Sequence, residues 1–247
     1  NVLRVVVFQR PGLPIVQAQL PVPAGLGAEA EGQAGLAFLT AQLLRQGTTS
    51  RSAGDFDTEL DTLGATFAIS ITRDAAQLAV GSRTSEFEST LELISDAVVN
   101  PVFSDEAFEA VRRQVAGQLA QHQKNAAALA DERATRLAFG NHPYGRSVPG
   151  DIESLLGSTR DQVREFHRDH WRPDRAVLAI AGNVDSTRAF TAAAEWLGRW
   201  GGKSASEPPH AAPVPRKGVL LFDLPGSPST EVRAVLVGPG RSDPGYA

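Results

Sequence analysis

The sequence predicts an α+β fold, and three observations support this class. Strand-like and helix-like segments interleave along the chain without the regular alternation of a doubly wound parallel sheet. Residues 67–72 alternate large apolar side chains with small ones, which is typical of a strand that buries one face. The 247 residues are enough for one large or two medium domains with well-buried cores.

The first predicted elements are two strands and two helices. Residues 2–9 and 15–22 are rich in β-branched residues, and the connection between them has the Pro and Gly content of a hairpin. Residues 32–46 carry leucines at helical spacing, and Gly47 follows where a C-terminal cap belongs. The second helix ends at Gly64.

The remaining elements continue the mixed pattern. Strands at residues 67–72 and 77–81 precede three helices, of which the second begins after Ser104, a typical N-cap residue. A loop at residues 141–150 leads to a further helix, a buried strand and a closing helix. The predicted ranges are 85–99, 126–139, 159–170, 176–181 and 186–200, and the helix that begins at Ser104 carries its apolar stripe as far as Leu119.

The composition also suggests how the chain is divided. Residues 1–200 read as one complete domain, and residues 201–215 read as a linker because they are rich in Gly, Ser and Pro. Residues 216–247 echo the opening strand–turn–strand pattern, with strands expected at 218–223 and 232–237. We expect this part to be the first hairpin of a truncated second homologous domain.

Charge and residue usage exclude several classes of function. The 24 Lys and Arg balance 28 Asp and Glu to a net charge of −4, without basic blocks, so neither nucleic acid nor an anionic membrane is an expected partner. The absence of cysteine excludes disulfides, thiolate metal sites and a Cys nucleophile. The chain lacks methionine and opens on a strand-like run, so we expect a fragment or a mature form.

Several segments, in the right order, match motifs of one peptidase family. They read GLAFLTAQLLRQGT at 35–48, LGATFA at 63–68, HPYGR at 142–146, FHRDHWRPD at 166–174 and AIAGNV at 179–184. Together they resemble the insulinase/pitrilysin-like zinc metallopeptidases, and the resemblance covers essentially the whole chain. In that family the first segment reads roughly G-[LI]-A-H-F-L-E-H-M-L-F-K-G-T, and its two His and one later Glu bind zinc while the nearby Glu activates water.

The resemblance places non-ligands at all four of these positions. Phe38 stands where the first His would be, Ala41 at the general base and Gln42 at the second His. The third ligand falls at or next to Gln118, and residues 110–130 contain no Asp or Glu. The resemblance therefore implies an inactive domain without catalytic residues or a bound metal, with zinc expected only in an active homologue.

The same resemblance implies a fold, partners and a compartment. The fold is a mixed, largely antiparallel sheet with helices mainly on one face. The partners are a zinc-bearing homologous peptidase domain or subunit and a peptide substrate, which such domains enclose as halves of a clamshell. The edge strand near Phe67 and Ala68 would take up peptide, although the family has Asn where Phe67 stands. Exported bacterial relatives favour the periplasm.

Two alternative interpretations stay open at this stage. One is a structural or assembly protein of the same fold without any role in proteolysis. The other is a metalloenzyme with a relocated site, for which the i, i+3 pair His167 and His170 is the main candidate. Without a third ligand, exposed or capping histidines are the expected interpretation of that pair. For His142 the expectation is a structural turn beside Pro143, and for His122 an ordinary surface or core position.

Overall fold

A computed structural model describes residues 2–202, 218–227 and 229–240. Within these ranges there are five strands and eight α-helices. The strands are β1 (Arg4–Gln9), β2 (Ile15–Val22), β3 (Thr66–Ile71), β4 (Ala76–Arg83) and β5 (Val177–Gly182). The helices are α1 (Leu36–Leu43), α2 (Ala53–Thr62), α3 (Phe87–Val99), α4 (Asp105–His122), α5 (Ala126–Phe139), α6 (Ile152–Gly157), α7 (Arg160–His170) and α8 (Ser186–Leu197).

The five strands form one sheet in the order β1-β5-β2-β4-β3. Only the β1–β5 pair is parallel, and the other three pairs are antiparallel. The predicted α+β class and the largely antiparallel sheet are therefore confirmed.

The sheet has one covered and one open face. On β2 the buried residues alternate with exposed ones, so that Val16 and Ala18 face the core while Gln17 and Gln19 do not. Helices α3 and α8 cover the core side, where their leucines meet Ala18. The strand register brings eight uncharged residues together on the open face, namely Gln17, Gln19, Thr66, Ala68, Ser70, Gln77, Ala79 and Ala181.

The predicted hairpin between β1 and β2 is wrong. Strand β5 lies between these two strands, parallel to β1 and antiparallel to β2. Arg10 N–H in the connection donates to Gly182 C=O at the end of β5. The turn residues correctly predict a reversal of the chain, but they cannot show that a strand from residue 177 onward fills the gap.

Helix boundaries follow local signals. Ser104 caps α4 by accepting a hydrogen bond from Ala107 N–H, as predicted. The helix predicted over residues 32–46 is shorter, because Gly35 has a φ of 94° and α1 begins only after it. Helix α6 is absent from the sequence prediction, since six residues are too few to show a periodic pattern.

The predicted second hairpin is not formed. Residues 218–227 and 229–240 contain no strand, so the prediction of strands at 218–223 and 232–237 is wrong for this structure. A two-stranded hairpin is only marginally stable without further strands or a helix against its apolar face. The linker prediction falls largely on residues 203–217, which lie outside the described ranges, and the domain division stays a prediction.

A helix that crosses a bilayer needs about 20 predominantly apolar residues. None of the helices in the ranges described above combines the length and hydropathy that this requires.

Candidate functional site

Helix α1 carries three of the four positions singled out in the sequence. Phe38 is partly buried, Ala41 is only 1% exposed, and Gln42 is partly buried. Phe38 and Gln42 stand at i and i+4 and therefore share a face of the helix.

The fourth position, Gln118, lies on α4 and is exposed. Helices α1 and α4 contact each other, but this helix contact does not by itself place Gln118 against Phe38 or Gln42. Whether a metal could be held there then depends on the chemistry of the four side chains.

These side chains do not form a zinc donor set. A phenyl ring and a methyl group have no donor atoms, and carboxamides are poor zinc ligands compared with imidazole, thiolate or carboxylate. In the described part of the chain, no group of three or more His, Asp or Glu residues is placed to hold a metal ion. Phe38, Ala41, Gln42 and Gln118 therefore cannot support a chemical step that depends on zinc.

The start of α1 is held by a residue that the sequence analysis did not single out. Glu29 Oε1 accepts hydrogen bonds from Gly35 N–H at 2.9 Å and from Ala37 N–H at 3.0 Å. Its side chain is fully buried, with 0% exposure. Because Gly35 has no side chain to cap the helix, an acceptor six residues earlier satisfies the free N–H groups.

A signal for Glu29 is present in the sequence. It is an acidic residue close to the start of a helix whose N-cap position is glycine. Helix N-termini favour negative charge, so this combination could have indicated a distant cap.

The loop with the HPYG motif is bound to the turn between β3 and β4. His142 Nδ1 accepts a hydrogen bond from Tyr144 N–H, which caps a short 3-10 helix at Pro143–Gly145. The Tyr144 hydroxyl donates to the Asp74 carboxylate, and this bond raises the pKa of Tyr144 to about 12. Arg73 Nε donates to Tyr144 C=O, and its guanidinium lies 5.9 Å from the Tyr144 ring centroid. The expected structural turn at His142 is therefore present.

Strand β3 is the terminal strand of the sheet among the described residues. Phe67 is buried and its ring lies 6.1 Å from that of Phe56, whereas Ala68 is exposed on the open face. The predicted peptide-binding strand therefore lies at an edge, but binding of peptide to it remains a prediction.

The hydrogen-bond pattern shows which groups of β3 face outward. Thr72 N–H donates to Ala75 C=O, so every second residue counted back from Thr72 pairs with β4. The backbone groups of Phe67, Ile69 and Ile71 consequently point away from β4, while those of Ala68 pair with it.

The histidine pair on α7 has a structural role. His167 Nε2 lies 2.9 Å from Val98 C=O, and burial lowers the pKa of His167 to about 4. The ring of His170 lies 4.6 Å from that of Phe166. His167 is therefore a capping side chain, as one of the two expectations had it, because its ring contacts a carbonyl in the last turn of α3 and joins α7 to that helix. His122 lies near Glu132, with 3.4 Å between Nε2 and Oε2.

Sequence profiles of two families match the chain. Residues 4–151 match the family described as insulinase (peptidase family M16). Residues 158–247 match the family described as the peptidase M16 inactive domain. The first match alone spans more than half of the chain.

Curated relatives are about twice as long as this chain. An uncharacterized zinc protease of Mycobacterium leprae is 30% identical over 246 residues, which cover 97% of this chain and 55% of that protein. The mitochondrial-processing peptidase subunit beta of Saccharomyces cerevisiae is 24% identical over 230 residues, which cover 91% of this chain and 50% of that protein. The chain thus spans about half the length of these relatives.

Solved structures share the fold. A peptidase M16 inactive domain from Pseudomonas fluorescens superposes with a TM-score of 0.77 at 24% identity, over 85% of this chain and 52% of that one. The periplasmic protease PqqL from Escherichia coli gives a TM-score of 0.75 at 17% identity, over 84% of this chain and 24% of that one. At these identities the likeness describes the architecture alone.

Proposed function

Because the chain belongs to the insulinase (M16) peptidase family, we propose that it is a non-catalytic domain or subunit of an insulinase-like zinc peptidase system. In this role it pairs with a zinc-bearing homologous domain and helps to enclose and position peptide substrates. It does not cleave peptide bonds itself, and zinc is a cofactor only of the active partner.

The single observation that carries the proposal is the set of side chains on α1 and α4. Peptide hydrolysis by this family needs a metal that lowers the pKa of a bound water and a base that takes its proton. Phe38, Ala41 and Gln42 supply neither, and Gln118 adds only a second neutral amide. Loss of a general base alone lowers a rate by roughly 10²–10⁴-fold.

The intact framework around these positions supports a role that uses the fold. Glu29 holds the start of α1, and the HPYG loop holds the β3–β4 turn, although neither contact is needed for metal binding.

Two surfaces suit peptide enclosure. The outward backbone groups of Phe67, Ile69 and Ile71 offer three donor–acceptor positions for an added strand, which binds largely through the main chain. Most residues of the open face beside this edge are uncharged, with Arg83 at the end of β4 as a nearby cation, so this face can contact peptides of varied sequence with little charge selection.

The test mixes the full-length protein with its zinc-bearing homologue. We expect a stable complex of larger hydrodynamic size and higher cleavage of a fluorogenic peptide than the homologue shows alone. Unchanged activity together with unchanged size would contradict the proposal. A complex without any change in activity would instead favour the alternative of a purely structural role.

A matched pair of variants tests whether β3 is the strand that positions peptide. Ala68→Lys places a charge on β3 beside its free edge, and Ala194→Lys places one on the exposed surface of α8. Helix α8 contacts β1, at the opposite edge of the sheet. We expect Ala68→Lys to reduce the stimulation several-fold and Ala194→Lys to leave it unchanged, whereas equal effects would exclude β3 as the peptide strand.

Metal analysis separately tests the proposal that this chain is not catalytic. Both proteins are dialysed first against a chelator and then against buffer with zinc. We then expect well under one zinc ion per molecule of this chain and about one per molecule of the homologue. A stoichiometric, dialysis-resistant zinc in this chain would refute it.

A further inference from the structure

Glu29 is a buried carboxylate of which only one oxygen is hydrogen-bonded. Oε1 binds the N–H groups of Gly35 and Ala37, while Oε2 is buried without a hydrogen-bond partner in the described structure. A cation lies near it, since Arg146 Nη1 is 3.8 Å from Oε2. The carboxyl group can therefore gain or lose a proton without losing its contacts through Oε1.

Arg146 connects this carboxyl to the loop that follows the HPYG motif. Its Nη1 donates to the carbonyls of Glu29 at 2.9 Å and Ala30 at 3.4 Å. The guanidinium is therefore held at the end of the short 3-10 helix Leu26–Ala28, with or without a charge on Oε2.

The same loop packs directly on the start of α1. A Cβ atom at Gly35 would lie 2.5 Å from Pro149 C=O, and one at Gly150 would lie 2.3 Å from Ala34 C=O. Loop and helix can approach this closely only because both positions are glycine. Any change in the attraction between Glu29 and Arg146 therefore acts on two segments in van der Waals contact.

We propose that Glu29 and Arg146 form a proton-operated latch between the N-terminus of α1 and residues 146–150. When Glu29 is ionised, its charge attracts Arg146 and the N–H groups of α1, and the loop is held against the helix. When Glu29 is protonated, the attraction of Arg146 for Oε2 is lost and only its two bonds to backbone carbonyls remain.

The electrostatic surroundings place the transition near neutral pH. Burial raises the pKa of Glu29 to about 7, while the hydrogen bonds from Ala37 and Gly35 and the charge of Arg146 oppose the rise. Asp151, at the start of α6, adds to the rise. Arg146 and Asp151 are thus the charged groups that act on this carboxyl.

The effect of the latch extends beyond the contacts of Glu29 and Arg146. The loop is also joined to the β3–β4 turn through Tyr144 and Arg73. Protonation of Glu29 should therefore loosen residues 142–150 as a unit, and this prediction does not depend on any role of the domain in peptide binding.

Hydrogen exchange at pH 6 and pH 8, corrected for intrinsic rates, tests the latch in the full chain. In the wild type we expect protection of residues 142–150 to rise roughly three- to tenfold from pH 6 to pH 8, in line with a charge-assisted contact. Glu29→Gln should show no such rise, and Glu31→Gln, a change two residues away at an exposed position, should behave as the wild type.

Two further measurements keep the test decisive if Glu29→Gln does not fold. Carboxyl ¹³C NMR of the wild type should show Glu29 titrating close to pH 7, and Arg146→Gln should raise that midpoint and remove the pH dependence of loop protection. A Glu29 midpoint below 5, or the same pH dependence of loop protection in both variants and the wild type, would overturn the proposal.

Discussion

Glu29 and Thr90 are buried polar residues whose substitution should affect stability for different reasons. One carboxylate oxygen of Glu29 accepts hydrogen bonds, and burial raises the pKa of this residue to about 7. Thr90 Oγ1, in contrast, is buried in α3 without a hydrogen-bond partner in the described structure. Both effects follow from the free energy of removing a polar group from water.

Replacing Glu29 by Gln should remove a pH dependence of folding. Its pKa rises from an ordinary value of 4.5 to about 7 in the folded state, so the stability it contributes is fully present below pH 4.5 and is lost as pH rises through 7. The linked change is of order 3 kcal/mol. Burial of His167, whose pKa is lowered to about 4, makes stability rise over part of the same interval, so the Glu29 contribution is measured as a difference between variants. From pH 5 to pH 8, urea unfolding should show that the wild type and the Glu31→Gln control lose roughly 2–3 kcal/mol relative to Glu29→Gln.

A decline in global stability between about pH 4.5 and 7 is compatible with a latch that tightens as Glu29 ionises. The free energy of unfolding depends on the difference between a buried carboxylate in the folded domain and a hydrated one in the unfolded chain. The latch depends only on the difference between the two protonation states of Glu29 within the folded domain. An equal slope in all three proteins would show that Glu29 keeps an ordinary pKa.

Replacing Thr90 by Val should stabilise the domain by about 1 kcal/mol, because it removes an unpartnered hydroxyl while keeping the side-chain shape. Thr90 is 1% exposed. The matched control is Ser95→Ala in the same helix, since Ser95 Oγ donates to Leu91 C=O at 2.6 Å and its loss should destabilise by roughly 0.5–1.5 kcal/mol. Urea unfolding of both variants measures the difference, and a destabilised Thr90→Val would mean that the hydroxyl has a partner.

The junction between α1 and the loop at residues 146–150 depends on Gly35. Gly35 has a φ of 94° and faces Pro149, whereas Gly32 has a φ of 79° with no atom within 4 Å of a built Cβ. Gly35→Ala should therefore destabilise by at least about 2 kcal/mol, and Gly32→Ala by only about 1 kcal/mol from its backbone conformation. Thermal unfolding should rank the two variants in this order, and similar losses would show that the loop can move aside.

Local signals predicted most elements but not all of their pairings. The cap of α4 at Ser104 and the alternation of β3 are short-range features, and the structure has both. The position of β5 between β1 and β2 depends on contacts between residues at least 160 positions apart, which no local pattern records.

The candidate site, like the fold, could be predicted from the sequence only where local patterns determine it. Its positions on α1 and α4 followed from motif spacing, and the two helices do contact each other. Glu29 and Arg146 are 117 residues apart in sequence, so their contact emerges only from the fold.

The buried core ends before the C-terminal part of the chain. Trp200 is the last buried core residue in the described ranges, and residues 218–227 and 229–240 are largely exposed. Their contacts with α5 lie at the surface, as in the pair of Arg233 with Asp131 and the stacking of Arg133 on Phe222. Exposed contacts of this kind contribute little to stability.

A chain ending at Gly202 should therefore fold by itself. We expect its circular dichroism to keep the helix and strand content, and its midpoint of thermal unfolding to shift by no more than about 3 °C. Removing the same number of residues from the N-terminus would delete β1, β2 and α1 and serves as the destabilised control. A large loss of stability on C-terminal truncation would show that residues 203–247 belong to the same cooperative unit.

Glu29 also determines which parts of this scaffold are free to change. Because Glu29 anchors the first turn of α1 from outside the helix, that anchor does not depend on Phe38 and Gln42, the two residues of α1 that are only partly buried. These two positions are where a protein engineer could graft a small recognition surface onto an unaltered framework.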